Sequence, residues 1–140
     1  MSRSGYHDDC EGWDLIRWRG AVKSAIRGKR GQEFLREMIA ALDAMPEKVL
    51  IAKELITPTG DVCAMGAVAK QRGLDVKEVD PEEREEVAKA LNLSPAMVSE
   101  IAYLNDEWLW DETPQQRWIR MRAWAEKQLV AEREQSGGER

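Results

Sequence analysis

Four cations recur along one short stretch of this chain: Arg19, Lys23, Arg27 and Arg30. At ~100° per residue they fall within ~80° of arc, provided one helix carries all four. Arg17 and Lys29 lie beside them, and no acid occurs between Leu15 and Gln32. Like charges at i, i+4 repel by about 0.2–0.5 kcal/mol per pair, and nothing in the stretch relieves that repulsion. Such a face suits an anionic partner, either the phosphates of a nucleic acid or an acidic protein surface. The competing reading is internal. Asp75, Glu78, Asp80, Glu82, Glu83, Glu85 and Glu86 are close together in sequence and could cover the basic face. The run Gly28-Lys29-Arg30-Gly31 reads as a flexible loop that extends the basic site, because glycine lets a backbone come close to a phosphate. The spacing of a P-loop is absent. The candidate anion or nucleic-acid site is therefore Arg17, Arg19, Lys23, Arg27, Lys29 and Arg30.

A second candidate is the segment Asn105-Asp106-Glu107-Trp108-Leu109-Trp110-Asp111-Glu112. Tryptophan is costly to leave in water, so Trp108 and Trp110 either fold back on the core or form a protein-binding edge. Asp106, Glu107 and Asp111 would rim that edge. Arg117, Arg120 and Arg122 follow closely and could pair with these acids. Trp118, Met121, Ala125 and Leu129 make one apolar stripe of a final helix. Trp124 lies off that stripe and is expected to be the exposed aromatic, so it joins the protein-binding candidates.

Enzyme chemistry finds little to work with. There is one histidine, His7, in a segment expected to be loose. A histidine-dependent nucleophile would need it held in place. Cys63 stands at the start of an expected helix, where the dipole favours a thiolate, but no basic residue is near it in sequence, so it reads as a buried structural cysteine. The carboxylates show no spacing that singles out an acid–base pair. His7, Asp8, Asp9 and Cys10 are adjacent residues that rarely converge on one ion. The reading is a binding protein without catalytic residues, metal or cofactor.

These residues need elements to hold them. Asp8 or Asp9 can cap a helix over about 12–27, whose apolar arc would be Leu15, Trp18, Ala21, Val22, Ala25 and Ile26. A second helix is expected over 32–45, amphipathic through Phe34, Leu35, Met38, Ile39, Leu42 and Met45, and stopped by Pro46. Residues 49–56 are the best strand candidate, with a turn at 57–61 and a short return strand from Val62. A helix ending at Gly73 would follow. Asp80-Pro81, Ser94-Pro95 and Thr113-Pro114-Gln115-Gln116 are three further helix starts, with the last helix reaching about Glu132. The fold class is mainly α: a compact bundle of about five helices with a small β-hairpin between helices 2 and 3. Residues 1–10 are expected to be a flexible arm, 11–134 a single helical domain and 135–140 a disordered tail.

Residues 85–101, EEVAKALNLSPAMVSEI, resemble a helix-turn-helix in pattern. Ala88, Leu91, Leu93, Val98 and Ile101 fall where that motif keeps small or apolar residues, and Asn92 takes the turn. Yet the would-be recognition helix carries no Lys or Arg and holds Glu100. DNA readers place Arg, Lys, Asn or Gln there, so the unit reads as a helical corner used for packing.

The chain has 140 residues, with 21 basic against 26 acidic, so the basic stretch stands in an acidic molecule. No apolar run is long enough to span a membrane, and the N-terminus lacks the apolar core of a secretion signal. Two isolated cysteines then read as reduced thiols. The expected location is cytoplasmic.

Several stretches together resemble a family of small proteins encoded by bacteriophages and prophages. They are Ser4-Gly5-Tyr6 with Asp8-Asp9, residues 15–22 (LIRWRGAV), residues 27–32 (RGKRGQ), residues 62–67 (VCAMGA), Asn105-Asp106-Glu107, and Thr113-Pro114 with Arg117. The resemblance covers most of the chain and carries no activity or site residue with it. It implies a phage accessory protein acting on host defence or regulation; with the residue readings above, the expected partner is nucleic acid or a host protein, one alternative being a defence protein to be inhibited, in the cytoplasm of a bacterial host. A structural or oligomeric role, with the basic face paired to acidic faces of other copies, is the remaining alternative.

Overall fold

A computed structural model describes residues 3–4, 13–109 and 111–130. They form six helices: α1 (Trp13–Arg27), α2 (Lys29–Ala44), α3 (Ala64–Arg72), α4 (Arg84–Leu91), α5 (Pro95–Glu107) and α6 (Pro114–Gln128). Helix α2 packs on α1, α3 and α6, and α5 packs on α1, α3, α4 and α6. Between them lies the core, with Phe34, Leu35, Met38 and Leu42 from α2 meeting Met65, Met97, Ile101 and Met121.

Local chemistry explains most helix ends. Ser94 Oγ accepts the Met97 N–H and Pro95 opens α5. Thr113 and Gln116 complete both bonds of a capping box at the start of α6. Gly73, at φ 72°, closes α3 in the left-handed conformation, donating its N–H to Ala69 and Lys70 carbonyls. Asn92 does the same for α4 at φ 59°. The turn between α4 and α5 thus has the shape the helix-turn-helix pattern suggested. Its second helix is spent on packing, since Ala96 through Ala102 are all buried.

Three expectations are corrected. No strand occurs among the described residues; the hairpin reduces to one antiparallel bridge, Ile56 with Val62. The backbone donors of residues 49–56 scatter: Leu50 N–H goes to Pro114 O and Ile51 N–H to Val62 O. Lys53 sits at φ 71° and gives its N–H to Asp106. A left-handed residue in mid-run breaks the extended geometry a ladder needs. The start at Asp80 is displaced, because its carboxylate accepts the Glu82 N–H in a turn and the helix begins at Arg84. Leu15 and Ala21 are exposed, so α1 buries Val22 and Ile26, with Trp18 and Ala25 half-buried.

Two residues of the expected arm are described. Arg3 and Ser4 are buried. Arg3 forms a bidentate pair with Asp106, Nε to Oδ2 and Nη2 to Oδ1, both 2.7 Å. It also donates to Glu54 O and to Cys63 Sγ, while Ser4 Oγ donates to Glu107 at 2.7 Å. The rest of the arm, with His7 and Cys10, and the tail from residue 131 lie outside the described residues.

Candidate functional site

Helix α1 ends at Arg27 and α2 begins at Lys29, so a single residue, Gly28, joins them. The Gly-Lys-Arg-Gly run is therefore not a loop; Lys29, Arg30 and Gly31 are the first turn of α2. Gly31 is required there, since a Cβ would stand 2.0 Å from the Ala25 carbonyl oxygen. Gln32 locks the junction from beneath: its Nε2 donates to Ile26 O and Gln128 O, and its Oε1 accepts Val130 N–H. The junction thereby rests on the end of α6.

This break in the helix divides the basic set. Lys23 and Arg27 stay on one exposed flank of α1, and Lys29 and Arg30 turn onto the start of α2. Arg30 donates to Asn92 Oδ1 at 3.4 Å. Arg17 is exposed on α1. Arg19 is held by Glu100 of α5 through two bonds of 2.7 and 3.1 Å. Among the described residues, the acids of 75–86 form no ion pair with Lys23, Arg27, Lys29 or Arg30. Lys23, Arg27, Lys29 and Arg30 meet no acidic side chain within ion-pair distance among those residues.

Below Lys23 and Arg27 lies a groove of about 630 Å³ between α1 and the end of α6. Val22, Ile26 and Leu129 contribute apolar lining, and Trp124 and the cation Lys127 line it as well. The Arg19–Glu100 pair closes one end. Beyond that pair a second hollow of about 390 Å³ continues past Trp124 to Tyr103 and Trp108. Trp124, expected to be exposed, is half-buried: it packs against the core and lines both hollows. Glu100, Lys127 and Leu129 were not among the sequence candidates. Glu100 is 81 positions from Arg19, and no local signal announces such a pairing.

The tryptophan-acid segment divides as well. Trp108 does not fold back on the core; it is 53% exposed and meets Tyr103 edge to face at 6.0 Å, and Leu109 is 50% exposed. Trp110 lies outside the described residues, and Asp111 is exposed. Glu107 accepts the Ser4 hydroxyl. Asp106 cannot rim a docking edge, because its side chain and that of Arg3 are each 2% exposed. Glu112, 1% exposed, pairs with Arg117 and Arg120, whereas Arg122 goes to Asp43 and Glu126.

Asp106 sits in a polar network that ties Arg3 to the 50–64 segment, α5 and α6. Its Oδ1 accepts from Arg3, Lys53 N–H and Asn105 Nδ2. Asn105 also bonds Ile51 O and Ala64 N–H, and Arg117 bonds Asn105 O and Leu50 O. Burial works to raise the Asp106 carboxyl, but the Arg3 hydrogen bond and charge, with the Lys53 and Asn105 donors, outweigh it and hold the group below its ordinary value. Burial likewise opposes the Arg3 charge, and Cys63 and Asp106 prevail in keeping it. Cys63 is fully buried and its Sγ accepts from Gly66 N–H and Arg3, capping α3. Segments 62–67, 105–107, Ser4, Thr113-Pro114 and Arg117 thus meet around one structural network rather than an open cleft. Among the described residues no group of His, Cys, Asp and Glu is arranged to hold a metal, and no helix is long and apolar enough to cross a membrane.

No family model, curated protein or solved structure matches the chain.

Proposed function

We propose that the protein is a non-enzymatic accessory protein that binds nucleic acid through the phosphates, using Lys23, Arg27, Lys29, Arg30 and Lys127. A phage-type role in the cytoplasm of a bacterial host fits this reading. The observation that carries it is the row of exposed cations at the α1–α2 junction that meets no acid among the described residues. Its placement argues the same way. Helix α2 starts with Lys29 and Arg30, has no acid in its first turn, and its N-cap, Gly28, makes no side-chain cap. Two cations at the positive end of a helix dipole are unfavourable alone. A phosphate would reverse that, accepting from backbone N–H groups and side chains together.

The test is fluorescence anisotropy with labelled DNA and RNA across a salt series. With four or five phosphate contacts, log affinity should fall against log salt with a slope of about −3 to −4. Lys23→Ala with Arg27→Ala should weaken binding to every sequence alike and make the slope shallower by about 1.5. No detectable binding to either nucleic acid at low salt defeats the proposal.

The exposed pair Trp108 and Leu109 favours a second reading, capture of a host protein at that edge. There a nuclease-resistant partner would co-purify from infected or lysogenic cells, and Trp108→Ala would abolish its capture while the helical spectrum stays unchanged. Capture unaffected by Trp108→Ala removes this reading.

A further inference from the structure

The groove beneath the cations has a shape and lining that phosphate binding alone does not need. We infer that it takes an unpaired nucleotide, the base lying against Trp124 and the phosphate held by Lys23, Arg27 and Lys127. The inference rests on the nucleic-acid reading above and narrows it to unpaired nucleotides.

Three observations carry it. First, Trp124 is only half-buried, one part of it packed on the core and the remainder lining the groove. A flat π surface fixed in place by core packing is what a base stacks on, whatever its sequence. Second, the lining combines the apolar Val22, Ile26 and Leu129 with the cations Lys23, Arg27 and Lys127. A nucleotide has a matching combination, an apolar ring face and a charged phosphate a few bonds away. Third, the volume of about 630 Å³ lies within the range of ordinary small-ligand pockets. It is a recess between helices, so a base must leave its partner to enter. The bases of a duplex are stacked inside and present only edges.

The Arg19–Glu100 pair at the end of the groove also has a consequence for this ligand. It puts a carboxylate beside the cations, but one already engaged by a guanidinium at 2.7 Å. The phosphate is thereby left to Lys23, Arg27 and Lys127, which form no ion pair among the described residues.

The test compares oligothymidylate, a duplex of the same length and thymidine monophosphate, titrated against the full chain by tryptophan quenching and anisotropy. Oligothymidylate should bind more tightly than duplex and quench, and Trp124→Leu should remove that quench. Trp124→Leu should also lower single-strand affinity by about 5- to 150-fold, the range of one lost base stack. Duplex affinity should be unchanged. Trp124→Phe should restore part of the binding, which separates stacking from a change in folding; circular dichroism checks both variants. Monophosphate binding as tight as the oligomer would identify the ligand as a free nucleotide in the same groove. Equal loss of duplex and single-strand binding in Trp124→Leu, or no loss at all, overturns the inference while leaving phosphate binding standing. No nucleic-acid binding by the unaltered chain overturns both.

Discussion

Replacing Asp106 with Ala should lower stability by about 3–5 kcal/mol, as expected when one partner of a buried ion pair is removed. The change would strand the Arg3 guanidinium, 2% exposed, and take away the acceptor used by Lys53 N–H and Asn105 Nδ2. Lys53, in a left-handed conformation, would lose the acceptor of its N–H. The effect should depend on pH in a defined direction. The Asp106 carboxyl is held below its ordinary value in the folded protein, so the stabilisation is complete above the unfolded value of about 3.9 and is lost as pH falls through the lower folded value. Urea denaturation at neutral pH should show the full gap between the two proteins, and denaturation in acid a narrower one. Asp43→Ala makes the control. It removes an Arg122 pair at the surface, where such pairs contribute little. A gap at neutral pH no larger than that of Asp43→Ala would refute the clamp.

The second large effect is expected at Gly66. A Cβ there would stand 1.9 Å from the Leu55 carbonyl oxygen and 2.7 Å from its carbon. Both are backbone atoms, so no side chain can swing aside. Gly66 is in the first turn of α3, and its N–H is bonded to Cys63 Sγ, so the helix would have to move away from the 50–63 segment. Gly66→Ala should cost at least about 3 kcal/mol, the upper end of overpacking, and lower Tm by roughly 10 °C. Gly20→Ala should do the reverse, since nothing lies within 4 Å of the added carbon. An alanine inside a helix is favoured over glycine by about 0.5–1 kcal/mol. Thermal melts of the two variants should therefore move in opposite directions. Equal shifts would mean that Gly66 does not need its missing side chain.

What the residues announced in advance was whatever forms within a few positions. Thr113, Pro114 and Gln116 specify the start of α6 between them, and Ser94 with Pro95 does so for α5. The stripe of Phe34, Leu35, Met38 and Leu42 is one helical face, and all four are buried. Asn92 and Gly73 end helices because each tolerates a positive φ. The hairpin shows where this stops. Residues 49–56 have the composition of a strand, but their backbone donors find Pro114, Val62 and Asp106, partners that only the assembled helices supply. Asp80 carried a proper capping pattern and used it on a turn. The cationic site was legible as charge and not as shape. Gly28 could have extended a helix or ended one. The choice was made by Gly31 against Ala25 and by Gln32 against α6. The groove itself needed Glu100, Trp124 and Lys127 to come together from two later helices.

The pairing of Arg3 with Asp106 joins positions 103 apart. During synthesis at roughly 5–20 residues per second, residue 3 would be made roughly 5–20 s before its partner exists. During that interval α1, α2 and α3 can form and pack, and Arg3 can already reach Glu54 O and Cys63 Sγ, while the pair that ties the 50–63 segment to α5 waits for Asp106. Arg3 is thus made early and fully secured late. The link from residue 3 to α5 can close only after α1 to α4 have been made.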